Sequence, residues 1–284
     1  MILFKKAADI NNYLQQSCKA GKSIGFVPTM GALHQGHISL INTSKQADDI
    51  TVCSIFVNPT QFNDTKDFDN YPSTIEKDID MLEKAGCDVV FLPSVIEMYP
   101  GGTQNAKKYD LGYLETVLEG KYRPGHFQGV CLVVQRLLNI ITANQLYLGQ
   151  KDYQQCMVIK RMIELEKIKT KINICPTLRE TSGLAMSSRN MRLSEKDKEQ
   201  ALKIFETLSY LKKNITPGDI TELKQAAVNN LINAGFKVDY VEIADADNLE
   251  IINTWDGHIK PVAVAAAFLE DVRLIDNMLF VFDV

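Results

Sequence analysis

The sequence is poor in everything that would mark a metal finger, a disulfide scaffold or a membrane protein. Its six cysteines, at 18, 53, 87, 131, 156 and 175, form no C-x-x-C pair, and none lies near a histidine at zinc-finger spacing. Several fall in apolar runs, Cys53 in TVCSIFV and Cys131 in GVCLVV, where a thiol acts as a small buried hydrophobe in a reducing compartment. No apolar run approaches the ~20 residues needed to cross a bilayer, so no membrane association is expected. The segment MILFKKAADINNYLQQ carries its lysines after the apolar residues and lacks a small-residue cleavage site. It does not read as a secretory signal, and the expected location is cytoplasmic. A basic excess is missing too. The net charge is −4, which argues against nucleic acid as a partner and requires any phosphate site to be built locally.

A P-loop is also absent. Gly21-Lys22-Ser23 has the end of a Walker A motif, but position 16 is Gln and the segment precedes its strand. Gly31 and Gly36 have Walker-like spacing, with His37 where Lys belongs. There is no internal repeat, low-complexity tract or long flexible linker.

What is present is an alternation. Between 24 and about 175, short β-rich runs (24–27, 50–57, 88–92, 145–149, 171–175) alternate with helical patterns near 37–48, 73–85, 126–141 and 152–166. The runs are almost continuously apolar, as strands are when helices cover both faces of a parallel sheet. In the second helix Ile75, Ile79 and Leu82 recur at spacings of four and three. Asp78 there reads as part of an exposed face rather than as a magnesium ligand. After 178 the rhythm changes to two helices and then short runs at 236–245, 261–269 and 278–282. The expected fold is α/β: a Rossmann-like doubly wound parallel sheet over 1–178, with a smaller C-terminal α+β lid domain over 179–284.

The sharpest motif is Val27-Pro28-Thr29-Met30-Gly31-Ala32-Leu33-His34-Gln35-Gly36-His37-Ile38, which follows the first of these strands and opens its helix. A helix N-terminus offers free N–H groups and partial positive charge, which suit phosphate. The two imidazoles fall on one face of the incoming turn. A second element, Met186-Ser187-Ser188-Arg189-Asn190, offers hydroxyls, N–H groups and a guanidinium able to grip pyrophosphate. Two amides lie at strand ends: Gln61 in FVNPTQF and Gln155 in GQKDYQQ. They can hold hydroxyls and a carboxylate without adding a negative charge beside a phosphate site. Asn58 supports them, while Pro28, Met30 and Phe62 can supply an apolar wall. Lys151 offers a mobile point charge and Asp152 an acceptor for ribose hydroxyls. Arg123 can neutralise a phosphate or orient a loop.

His-x-Gly-His after the first strand resembles the signature of the nucleotidyltransferase superfamily that includes class I aminoacyl-tRNA synthetases. With Asn58-Pro59-Thr60-Gln61-Phe62, Arg123-Pro124-Gly125-His126-Phe127, Gly149-Gln150-Lys151-Asp152 and Arg179-Glu180, the set over 24–193 resembles the pantothenate synthetase family. Thr60 and Gln150 stand where many members carry Met and Glu. The resemblance implies ATP contacts at Met30, Gly31, Ala32, Leu33, His34, Gln35, Gly36, His37, Gly149, Gln150, Lys151, Asp152, Leu178, Met186, Ser187, Ser188 and Arg189. It implies substrate contacts at Asn58, Gln61, Arg123 and Gln155, and catalytic roles for His34, His37 and Lys151. It further implies pantoate and β-alanine as co-substrates, Mg²⁺ accompanying ATP, and a homodimer. His-x-Gly-His alone leaves open a transferase acting on phosphorylated small molecules, or a sensor that binds ATP without turnover. The Gln61 and Gln155 segments favour the acid-activating enzyme.

Overall fold

The computed structural model describes residues 1–62, 71–103 and 107–282. Contacts divide the chain into two units: Met1–Gly149 with Gln154–Pro176, and Gln150–Tyr153 with Thr177 onward. The four residues after Gly149, which the sequence placed with the first domain, group with the second unit.

In the first unit, six parallel strands among the described residues form one sheet: β1 (Ile2–Phe4), β2 (Ile24–Thr29), β3 (Ile50–Ile55), β4 (Val89–Phe91), β5 (Gln145–Gly149) and β6 (Lys171–Cys175). Their order is β1-β4-β3-β2-β5-β6. From β2 the chain winds toward β3 and β4, and from β5 it winds the other way to β6. Central neighbours β2 and β5 are therefore the switch point, whose carboxyl ends are the ligand-binding position in open α/β sheets. The alternation along each strand explains why both faces are apolar. Phe26, Val52, Phe91 and Leu146 pack on one side, beneath α1 (Ala7–Lys19), α4 (His126–Ile141) and α5 (Tyr153–Leu165). Their neighbours Val27, Cys53, Val90 and Tyr147 pack on the other, beneath α2 (Gln35–Ala47) and α3 (Ile75–Lys84). Cys53, Cys87, Cys131, Cys156 and Cys175 are buried as free thiols, and burial pushes Cys87 and Cys131 up to about 12.

In the second unit, α6 (Glu195–Asn214) opens with a reciprocal cap between Ser194 and Asp197. It packs with α7 (Thr221–Asn233) on an antiparallel sheet of β8 (Lys237–Asp245), β10 (Pro261–Leu269) and β11 (Val272–Leu279), in the order β11-β10-β8. A two-residue ribbon, β7 (Gly218–Asp219) with β9 (Thr254–Trp255), lies apart from it. The last strand differs from the sequence reading, which placed it at 278–282. Asp276 and Asn277 interrupt its apolar pattern, yet both are buried in the strand interior.

Candidate active site

At the end of β2 the chain must leave the sheet and enter α2 within a few residues. Thr29 anchors this exit, its hydroxyl donating to the Ser54 carbonyl of β3 at 2.7 Å. Gly31 and Ala32 then adopt consecutive left-handed conformations, with φ of +84° and +49°. For alanine that geometry is strained and persists only when the surroundings enforce it. Asp78 does so. Its carboxylate, fully buried, accepts the Ala32 N–H at 2.9 Å and the Leu33 N–H at 2.8 Å, with the Thr74 hydroxyl at 3.0 Å. A side chain at Gly31 would meet this carboxylate at 3.1 Å. The reading of Asp78 as an exposed helix residue is therefore corrected. It sits in the first turns of α3, where a negative charge is favourable, and it serves the adjacent turn. The sequence pattern of α3 hid it because the partners are backbone groups some 45 residues away.

The turn delivers His34 as the N-cap of α2. Its Nδ1 accepts the Gly36 N–H at 3.1 Å, and His37 Nδ1 accepts the His34 N–H at 3.3 Å. Backbone N–H groups only donate, so both Nδ1 atoms are acceptors and the ring proton of a neutral imidazole sits on Nε2. The rings lie 4.1 Å apart between centroids and are partly exposed. The helix start thus carries two imidazoles of fixed tautomer, with Gln35 exposed between them. Met30, Gly31, Ala32 and Leu33 form the preceding turn, and Gly36 contributes an N–H to the cap.

At the end of β3, Asn58 fixes the Pro59–Gln61 turn. Its Oδ1 accepts the Thr60 N–H, the Thr60 hydroxyl at 3.0 Å and the Tyr99 hydroxyl at 2.9 Å. Burial pushes the Tyr99 phenol up to about 12, so it stays a donor. Asn58 Nδ2 donates to Gln61 Oε1 at 3.3 Å and to the Gly129 carbonyl at 3.1 Å. With its oxygen held, Gln61 turns its Nε2 toward Met30 Sδ, 2.7 Å away. Arg123 and His126 brace the same turn. Arginine only donates, so His126 Nε2 accepts from Arg123 at 3.1 Å, and its Nδ1–H donates to the Gln61 carbonyl at 2.7 Å. Of the two roles read for Arg123, this contact is compatible with orienting the loop and leaves the phosphate role open. Helix α4 comes so close that a side chain at Gly129 would lie 2.2 Å from the Thr60 carbonyl.

The adjacent glutamines of α5 differ. Gln154 is buried, with its oxygen accepting the Glu119 N–H and its nitrogen donating to the Leu114 and Val117 carbonyls. Gln155 is half-buried, and its side chain makes no hydrogen bond with another described residue. The amide read from the sequence as substrate-facing is the available one of the pair.

The second unit carries the other phosphate-reading candidates. Gln150, Lys151 and Asp152 form a single helical turn. Leu178, half-exposed, starts a hairpin bridged at Arg179 and Ala185 and closed by Met186 N–H to the Leu178 carbonyl at 3.1 Å. Ser187 then caps the short helix Ser188–Arg192, accepting the Arg189 N–H at 3.3 Å. Met186, Ser187, Ser188 and Arg189 are all partly exposed. No sequence pattern marked the support beneath them, a buried Asp276 paired with Arg179 and a buried Asn277 beside it. Among the described residues no group of three or more His, Cys, Asp or Glu is placed to hold a metal ion.

Comparison with known proteins shows the family of the chain. The family model described as pantoate-beta-alanine ligase matches residues 2–279. The pantothenate synthetase of Cytophaga hutchinsonii is 44% identical over 99% of this chain and 100% of its own. A crystal structure of pantothenate synthetase from Thermus thermophilus superposes with a TM-score of 0.89 at 34% identity, covering 98% of this chain and 99% of that one. The Francisella tularensis pantoate-beta-alanine ligase, described as complexed with beta-gamma ATP and beta-alanine, gives a TM-score of 0.83 at 40% identity, covering 98% and 97%. Matched from β1 to the end of β11, the chain belongs to the pantoate-beta-alanine ligase family.

Proposed function

We infer that this protein condenses pantoate with β-alanine at the expense of ATP. The observation that carries the reading, in a chain of this family, is the helix start at which His34 and His37 are locked through Nδ1 and keep their ring protons on Nε2. A pantoate carboxylate oxygen attacks the α-phosphorus of ATP, and the bond to the bridging oxygen breaks to release pyrophosphate. The β-alanine nitrogen then attacks the acyl carbon of the pantoyl-adenylate, the carbon–oxygen bond breaks, and AMP leaves as the amide nitrogen gives up a proton. Activation is required because a carboxylate oxygen is a poor leaving group near neutral pH and AMP a good one.

The Nε2–H groups of His34 and His37 donate to phosphate oxygens as charge builds in the first step. Nε2 of His37 is the atom at which it holds or yields a proton. Lys151, Ser187, Ser188 and Arg189 neutralise the phosphates, and Asp152 accepts from the ribose. Gln61 and Gln155 hold the pantoate oxygens, with Gln61 fixed as a donor by Asn58. ATP enters as its magnesium complex, the ion held by phosphate oxygens with few protein ligands. A homodimer formed through the first unit, which rests on family resemblance, and a cytoplasmic location complete the reading.

The test is incubation of the protein with Mg-ATP, pantoate and β-alanine, following nucleotide, pyrophosphate and product. One AMP and one pyrophosphate per pantothenate are expected, with pyrophosphate release already occurring when β-alanine is left out. Pyrophosphate release with a phosphorylated acceptor in place of pantoate, or no AMP with any acid, overturns the reading. Light scattering should give twice the chain mass, and a monomer rejects the dimer.

A further inference from the structure

Asp276 and Asn277 are buried polar residues in the interior of a strand, where apolar side chains are the rule and polar ones need a reason. Apart from the strand's own pairing and one bond between the two, their side-chain hydrogen bonds run to the Gln150-Lys151 turn and to Arg179. Asn277 Nδ2 donates to the carbonyls of both Gln150 and Lys151, each at 2.8 Å. Its Oδ1 accepts from Gln150 Nε2 at 3.1 Å, which fixes the amide with its donors toward the turn. A glutamate at 150 would have no hydrogen to give that oxygen. Asp276 takes both branches of the Arg179 guanidinium, at 2.6 and 3.0 Å, and its Oδ1 also accepts the Asn277 N–H at 2.8 Å. Arg179 donates further to the carbonyls of Gly183, in the hairpin leading to Met186–Arg189, and of Asn277. Its guanidinium lies 4.5 Å over the Phe205 ring.

We propose that Asn277, fixed by the Asp276–Arg179 ion pair, is a positioning residue that sets the Gln150-Lys151-Asp152 turn for the nucleotide. The turn is a single one that runs straight into α5, and Asn277 is the side chain that donates to its first two carbonyls. Without Asn277 these carbonyls lose that donor, and the turn is free to rotate Lys151 away from a phosphate. The inference rests on the reading that Lys151 meets ATP. It extends the set of residues serving that reaction to the last strand, more than a hundred residues along the chain.

Steady-state kinetics of the full-length protein test it with Asn277→Leu and Asn277→Asp, near-isosteric side chains that keep the volume and lack the donors. Both should raise the ATP KM and lower the rate of pyrophosphate release, together by roughly tenfold, since sub-ångström misplacement carries costs of this order. The KM values for pantoate and β-alanine should stay at wild type. Asn277→Leu should add much less on a Lys151→Ala background than alone, because the two act through one group. Lys151→Ala serves as the control. If it alone leaves adenylate formation intact, the nucleotide role of the turn falls. If it cripples that step while both Asn277 variants behave as wild type, the positioning role falls. Equal weakening of all three substrates with a lowered unfolding midpoint, or full additivity in the double variant, also overturns it by showing a general structural effect.

Discussion

Two buried carboxylates sit beneath the two groups of candidate site residues, and they are held by opposite means. Asp78 in the first unit is held by neutral donors, two backbone N–H groups and a threonine hydroxyl. Asp276 in the second unit is matched by a guanidinium in a two-pronged pair. The difference follows from what each must hold. The turn at Gly31-Ala32 has N–H groups that face inward because of their left-handed backbone, and only an acceptor can fix them. The Gln150–Asp152 turn presents carbonyls, which need donors, so the strand beneath supplies an amide, and the amide is itself oriented by a salt bridge. A carboxylate bound to backbone amides tolerates no substitute, whereas a charge pair can in principle be replaced as a pair.

The largest expected effect lies in the first unit. His34→Ala and His37→Ala should each slow adenylate formation by roughly 10²–10³-fold, the scale for losing one charge-stabilising donor. Pre-steady-state pyrophosphate release measures it. Near-wild-type rates in both would take the imidazoles out of the chemistry and leave them as helix caps.

Next is the contrast between the carboxylates. Asp276→Asn leaves the largely buried Arg179 unpaired and should cost on the order of 3 kcal/mol in denaturant unfolding, as removing one partner of a buried pair does. The double change Asp276→Leu with Arg179→Met should recover much of it. Asp78→Asn turns an N–H toward the Ala32 and Leu33 donors and should cost about 1–3 kcal/mol, together with a loss of adenylate formation that no second change restores. A paired rescue at Asp78, or none at Asp276, would erase the distinction.

The adjacent glutamines offer a smaller and sharper comparison. Gln155→Ala should raise the pantoate KM about tenfold with little change in unfolding, since a bound oxygen loses one partner. Gln154→Ala should do the reverse, lowering stability by about 1–3 kcal/mol because three buried backbone groups lose theirs. Separate titrations of ATP and pantoate decide whether Gln155 is selective for the acid.

The smallest effect concerns Tyr99. Tyr99→Phe removes one neutral donor to Asn58, worth about 1 kcal/mol. The phenol is raised from 10.0 to about 12 in the folded protein by burial, so the native state holds its proton more tightly than the unfolded chain. The stability from this group is complete below pH 10 and is lost as pH rises toward 12. The gap between wild type and Tyr99→Phe in unfolding midpoints should therefore be level through neutral pH and close above pH 10.

How much was legible depends on how local each interaction is. The parallel sheet could be read because both faces of each strand are covered, which leaves continuous apolar runs at 24–29, 50–55 and 145–149. The short edge strand Ile2–Phe4 and helix α1 left no comparable signature. The His34–His37 start is contained in four residues, and its chemistry follows from their types and order alone. Gln61 was legible as an amide at a strand end, though which of its ends faces outward was not.

The sequence by itself determined the doubly wound α/β fold, the His-x-Gly-His motif at the end of β2 and the family. These depend on period, composition and residues near one another in the chain. Only the tertiary structure decided that Asp78 is buried under the Ala32 turn, that Gln154 is structural while Gln155 is available, and that β11 runs through Asp276 and Asn277. Each of these is a polar side chain satisfied by backbone groups or charges tens of residues away. A polar residue looks the same in a sequence whether water or a distant carbonyl is its partner, and only the fold brings that partner within 3 Å.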